Sequence, residues 1–148
     1  MQSASKKTAA YIRRGYELKV YTQAVTNLQK IGICQIITHV ILGLPGEKKK
    51  DMLASVTCAI KSGSNGIKLQ LLHVLKNTDL ASDYEAGKFK VFSMEEYLSI
   101  LKEALSLLPP DMVAHRITGD GNKKNLVAPL WSADKKRVLA EFHRNEKK

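Results

Sequence analysis

At 148 residues the chain is one domain or part of a larger one, and 44% apolar residues are enough for a real core. Its 24 basic residues outweigh 14 acidic ones for a formal +10, which favours anionic partners such as nucleic acid, phosphate or an acidic surface. There is no secretory apolar region and no 18-residue apolar run, so the sequence reads as cytoplasmic, with no membrane span.

Thr8–Arg14 is predicted as a short helix, stopped by Gly15. Leu18–Ile31 is a stronger one, with Val20, Ala24, Val25, Leu28 and Ile31 as an apolar stripe and Gly32 at its end. Ile33–Leu42 is rich in β-branched residues and reads as a strand covered on both faces. Gly43 to Gly46 turn the chain, and Glu47–Ser62 is an amphipathic helix with Met52, Leu53, Val56, Ala59 and Ile60 on one face. Gly66–Val74 is the second strand, alternating at its start, and Asp79–Ala86 is a short helix before Gly87. Ser93–Leu108 is the clearest helix: Ser93 and Glu96 form a capping box, Leu98, Leu101, Leu105 and Leu108 form the stripe, and Pro109-Pro110 forbids continuation. Met112–Ile117 is a third strand, followed by the turn Thr118–Gly121. Ser132 caps a last helix, Ala133–Arg144. There is no internal repeat.

Helices and strands alternating in this way imply an α/β fold with a parallel sheet and right-handed crossovers. Three strands with helices for one side leave much apolar surface in water, at roughly 1.5–3 kcal/mol for each uncovered Leu, Ile or Val. Several such losses rival a domain's net stability of about 5–15 kcal/mol. The chain is therefore expected to be part of something larger, or to cover its sheet by self-association.

Each strand ends in a turn able to carry chemistry: Leu42–Glu47, His73–Thr78 and His115–Gly121. The lysines and arginines are scattered, at Lys48–Lys50, Lys123-Lys124, Lys135–Arg137 and the tail Glu146–Lys148, with few aromatic rings among them for single-strand stacking. Gly43–Lys48 is not a phosphate loop, because Lys48 stands where the second glycine is required. The four histidines, His39, His73, His115 and His143, offer no close metal-ligand pair, and no nucleophile elbow is present. Cys34 and Cys58 lack CxxC spacing and read as buried free thiols.

The string HVILGLPGE, preceded by a helix and by QSAS and IRRG, resembles the fifth strand of the radical S-adenosylmethionine (radical SAM) core, in the layout of the oxygen-independent coproporphyrinogen oxidases. With GIKLQLLHVLKNTDLA and HRITGDG, the chain from Gln2 to about Arg144 is similar to a radical SAM subfamily of Fe–S oxidoreductase type. The resemblance implies the C-terminal part of a partial, TIM-like (β/α)₆ barrel that holds a [4Fe–4S] cluster and SAM. In that chemistry the cluster reduces SAM to a 5′-deoxyadenosyl radical, which abstracts a hydrogen from substrate. The CxxxCxxC motif of the family is absent here. The chain is therefore expected to be the C-terminal portion of a radical SAM protein, partnered by the missing N-terminal half of the barrel and without radical chemistry of its own.

The same resemblance implies site residues. Gln2 and Ser3 correspond to a fourth-strand end facing the ribose and amino-acid end of SAM. Arg14 stands where the related oxidases carry an arginine for the SAM carboxylate. His39 stands where they carry an acidic residue for the ribose hydroxyls. Ile41, Leu42 and Gly43 are expected to pack on the adenine, with Leu72, His73 and Val74 as the wall from the sixth strand. His115, Arg116, Thr118 and Asp120 lie where substrate is expected. The positive charge keeps RNA or another anion open as substrate, and a basic polyanion-binding module open as the alternative function.

Overall fold

The structure is a computed structural model in which residues 1–119 and 121–146 are described. In chain order the elements are α1 (Lys6–Tyr11), α2 (Leu18–Lys30), β1 (Ile37–Leu42), α3 (Lys49–Lys61), β2 (Gly66–Leu71) and β3 (Val74–Leu75). They continue with α4 (Asp79–Glu85), α5 (Met94–Ser106), β4 (Val113–Arg116), β5 (Leu126–Ala128) and α6 (Lys135–Glu146). β1, β2 and β4 form a parallel sheet in the order β1-β2-β4, and β3 pairs antiparallel with β5 in a second, two-stranded sheet.

One face of the parallel sheet is closed by helices. Val40 and Leu42 of β1 and Ile67, Leu69 and Leu71 of β2 pack with Met52, Val56 and Ala59 of α3, with Tyr97, Leu98 and Leu101 of α5, and with Val138 and Phe142 of α6. α5 starts as the sequence predicts. Ser93 Oγ accepts from Glu96 N at 3.2 Å, and Glu96 Oε2 accepts from Ser93 N at 2.8 Å. Each side chain thus satisfies a backbone N–H that the first helical turn leaves open.

Expectation and structure differ in several places. β1 is not covered on both faces: Thr38, Val40 and Leu42 are buried, Ile37 and Ile41 are half-buried, and His39 is exposed. It also begins at Ile37 instead of Ile33. Asn65 is the reason, since its Oδ1 accepts from Ile36 N at 2.8 Å and its amide donates to Cys34 O. A side chain thereby serves the backbone that a strand partner would otherwise serve. The predicted second strand is two, because the chain leaves the parallel sheet after Leu71 and pairs with β5, a strand too short to show in the sequence.

Only Val25 of the predicted α2 stripe is buried. Val20, Ala24, Leu28 and Ile31 are exposed, and Tyr21 faces inward, its hydroxyl 2.7 Å from Thr38 Oγ1. Cys34 is exposed and Cys58 half-buried, so neither is the buried thiol expected. Ser132 does not cap α6: its hydroxyl donates to Pro129 O at 2.8 Å, and Asp134 Oδ1 accepts from Arg137 N at 3.1 Å in its place.

Candidate functional site

The N-terminal residues run beside the edge of the sheet. Ile41 N donates to Gln2 O at 2.9 Å, which lays Met1–Ser3 along the side of β1 away from β2. The turn after this segment and the turn after β1 therefore meet at one rim, the C-terminal ends of the strands. Ser3 is fully buried, and its hydroxyl donates to Glu47. Ala4 N donates to Ser55 Oγ at 2.9 Å, tying the same segment to α3.

Glu47 does not open α3, as the sequence suggested. Lys48 is the N-cap and Asp51 Oδ2 accepts from Lys48 N at 2.8 Å, which leaves Glu47 free to turn inward. Burial pushes its carboxyl pKa above the usual carboxylate value, against the opposing pull of the Ser3 and Thr8 hydroxyls.

Arg14 joins this group. Its Nη1 donates to Ser3 O at 2.5 Å, its Nε donates to Tyr16 O at 3.0 Å, and its guanidinium lies 4.8 Å from the centre of the Tyr16 ring. Gln2 is half-buried, and its Oε1 is buried with no hydrogen-bond partner among the described residues. An unmet acceptor of this kind costs about 1–3 kcal/mol, so it points to a ligand donor.

At the next strand end Gly43 has φ +90°, and a Cβ there would lie 3.0 Å from the Phe92 ring. Leu72 follows β2 beside it, its N donating to Leu42 O at 2.9 Å. Gln2, Ser3, Arg14, Ile41, Gly43 and Leu72 therefore share one rim. The Leu42 side chain points the other way, into the helix-side core. Val74 is buried with Ala81 and Ala128 in a small separate cluster. His73 packs under the last turn: its Nδ1 accepts from Gly121 N at 3.2 Å, and Gly119 lies so close that a Cβ there would collide with the ring. Thr118 is half-buried just before that glycine, and Asp120 lies outside the described residues.

His39, His115 and Arg116 lie lower on the open face of the sheet. His39 is opposite Lys68 in the β1–β2 register, and Lys68 is opposite Arg116 in the β2–β4 register. A register shift beside Lys68 breaks the alternation of β4. His115 Nε2 would lie 2.7 Å from a Cβ on Gly66, so its ring uses the space that this glycine leaves. Lys68 was missed as a site residue, although its alternation with Leu69 in GIKLQLL already separates it from the core face.

Residues 64–148, more than half of the chain, match the model of the Radical_SAM C-terminal domain. The chain belongs to the radical SAM family. It is 35% identical over 144 residues to the uncharacterised protein YtqA of Bacillus subtilis, covering 97% of this chain and 44% of that one. It is 32% identical to protein YhcC of Escherichia coli K12, covering 97% of this chain and 46% of that one. The chain thus spans less than half the length of these relatives. Among solved structures it is similar to the archaeal Elp3 of Methanocaldococcus infernus with an N-terminal deletion, with a TM-score of 0.75 at 18% identity over 98% of this chain and 35% of that one. That likeness is one of fold, and it agrees with the α/β, barrel-type architecture expected from the sequence.

The family implies SAM and an iron–sulfur cluster. The cluster does not fit this chain: Cys34 and Cys58 lie on separate segments, and no group of three or more His, Cys, Asp or Glu is placed to hold a metal among the described residues. Toward SAM, the rim offers the unmet Gln2 amide oxygen and a Gly43 turn packed between Phe92 and Leu72. No helix among the described residues is long and apolar enough to cross a membrane.

Proposed function

We propose that this chain supplies one wall of the SAM pocket and part of the substrate face of a radical SAM enzyme of Fe–S oxidoreductase type. The observation that carries the reading is the Ile41–Gln2 backbone bond, which holds Met1–Ser3 against the edge of β1 and draws Gln2, Ser3 and Arg14 to the rim beside Gly43. When bound, SAM with its [4Fe–4S] cluster supplies radical chemistry. This chain's own contributions are binding and orientation. The Gln2 amide offers an acceptor, the Ile41–Gly43 backbone offers an edge and an apolar surface, and Leu72 with Phe92 closes the wall. Arg14 fixes the Met1–Ser3 segment through the Ser3 carbonyl while keeping further N–H donors for a carboxylate.

The cluster ligands come from an N-terminal half of the barrel that docks beside the Met1–Ser3 segment and α2. Val20 at 51% and Ile31 at 74% exposure give that partner an apolar surface, which would otherwise favour self-association of the chain. Alone, the chain is inactive. We place it in the cytoplasm, in line with its two free thiols.

The test is anaerobic reconstitution of the full-length protein, this chain with its in-frame upstream sequence, using iron and sulfide. Broad thiolate-to-iron absorbance is expected, with SAM binding that Gly43→Val abolishes. An upstream sequence without CxxxCxxC, or reconstituted protein without that absorbance, rejects the reading.

The alternative, a basic module that grips RNA or another polyanion, has one observation in its favour. Lys76 N donates to Asn125 O at 2.8 Å, which sets Lys76 beside Lys123 and Lys124 on the surface. Tight binding to generic RNA that falls steeply with salt would support it, and the two readings combine if the enzyme acts on RNA.

A further inference from the structure

The open face of the sheet carries a row that the cofactor wall does not use. His39, Lys68 and Arg116 stand opposite one another on three adjacent parallel strands. In a parallel sheet, residues in register point to the same face, and neighbouring strands lie about 4.8 Å apart. The row therefore crosses the sheet in roughly 10 Å, with a cation at its centre and another at its end. The faces are unambiguous. Thr38, Val40, Ile67 and Leu69 are buried on the helix side, so His39 and Lys68 are turned the other way.

His115 belongs to the same face, since its imidazole occupies the room above Gly66, two residues before Lys68 on β2. Gln70, two residues beyond Lys68 and opposite Ile41, adds an amide on the side toward the rim. The row is thus a floor of imidazole, ammonium and guanidinium four residues below Gly43 along β1, with the Gln70 amide halfway between. Its positive field is felt locally. The His39 pKa lies below the ordinary histidine value, through desolvation first and then through Lys68, the N-terminal amine and Arg116.

We infer that His39, Lys68 and Arg116, with His115 beside them, form an anion subsite that takes a carboxylate or phosphate group of the substrate below the cofactor rim. The inference rests on the proposed substrate face, but it makes a claim that face does not require. A barrel interior that only packs a neutral substrate has no use for a cation at the centre of its sheet. Lys68 supplies a point charge, and Arg116 adds a second positive charge opposite it. The pull on the His39 proton, lowered by desolvation first and then by Lys68 and Arg116, rises when an anion arrives between them.

The test is a titration of the chain with inorganic phosphate, and separately with acetate, followed through the imidazole NMR resonances of His39 and His115. Saturable shifts of both rings are expected, with a rise in the His39 pKa on saturation. Lys68→Met should weaken binding about tenfold or more, whereas Lys68→Arg, which keeps the charge, should restore most of it. Response to phosphate alone assigns a phosphate group, and response to acetate as well admits a carboxylate.

Shifts that fail to saturate, or that persist unchanged in Lys68→Met, overturn the subsite. If Lys68→Met does not fold, the rise in the wild-type His39 pKa decides the matter alone, and its absence overturns the subsite equally. SAM binding by the full-length protein without a phosphate response rejects the subsite and spares the cofactor wall. A phosphate response without SAM binding does the reverse.

Discussion

The two faces of the parallel sheet are built from the same strands and do opposite things. The helix side holds Val40, Leu42, Ile67 and Leu69 at 0% exposure. The open side presents His39, Lys68 and Gln70 from alternate positions of the same segments. A period of two suffices to make both, so a strand one residue out of register would exchange them. The difference teaches where stability and chemistry reside: the closed face pays for the fold, and the open face is free to carry charge because it contributes little to it.

The largest effect that bears on this contrast is a deletion on the closed side. Leu69→Ala should cost about 2–5 kcal/mol, through lost transfer energy and a cavity among α3, α5 and the sheet. Its neighbour on the other face, Gln70→Ala, should move stability by no more than about 0.5 kcal/mol. Urea midpoints of the two variants measure the comparison directly, and equal losses would mean that the open face is a second core.

Gly43 stands at the boundary. At φ +90°, Gly43→Ala places an L residue in the left-handed region and brings a methyl against Phe92. About 1–2 kcal/mol of backbone strain is expected, more if the ring cannot yield. Phe92 O in turn accepts from Trp131 Nε1 at 2.9 Å, so displacement of the ring should also alter tryptophan fluorescence. Strain without that optical change would place the cost in the turn alone.

A smaller effect comes from the helix layer. Ser93→Ala removes the α5 cap and should cost about 1 kcal/mol. Ser132→Ala, at the position first read as a cap, should leave the start of α6 intact, since Asp134 performs that role. Hydrogen exchange at the first turns of α5 and α6 separates the two outcomes.

How much of this was legible follows from the range of the interactions. The capping box at Ser93 and Glu96 is local, three residues apart, and was readable. The stripes of α3 and α5 were readable for the same reason, because their period belongs to the helix itself. β5 was not: three residues carry no pattern, and only β3, some fifty residues earlier, makes them a strand. The α2 stripe misled because amphipathicity shows that a face is apolar and not what covers it.

At the site, the family resemblance singles out Gly43 and His39; Gly43 lies at the rim, and His39 lies four residues lower on the open face. In the sequence Lys68 is only the polar half of the β2 alternation with Leu69. Its meaning depends on Arg116 arriving opposite, which the sequence alone does not say.

Glu47 offers the finest test of where the closed region ends. Its carboxyl joins the Ser3 hydroxyl at the rim, half-buried, and its pKa is raised above 4.5 by desolvation. A carboxyl with a raised folded pKa binds its proton more tightly in the folded chain than in the unfolded one. That contribution to stability is fully present below 4.5 and is lost as pH rises through the folded value. Glu47→Gln has no proton to lose, and its amide oxygen still accepts from Ser3. The difference in urea midpoint between Glu47→Gln and wild type should therefore move in favour of the variant as pH rises from 4 to 7. A midpoint difference that stays flat with pH would mean that water reaches Glu47, and that the rim is open down to Ser3.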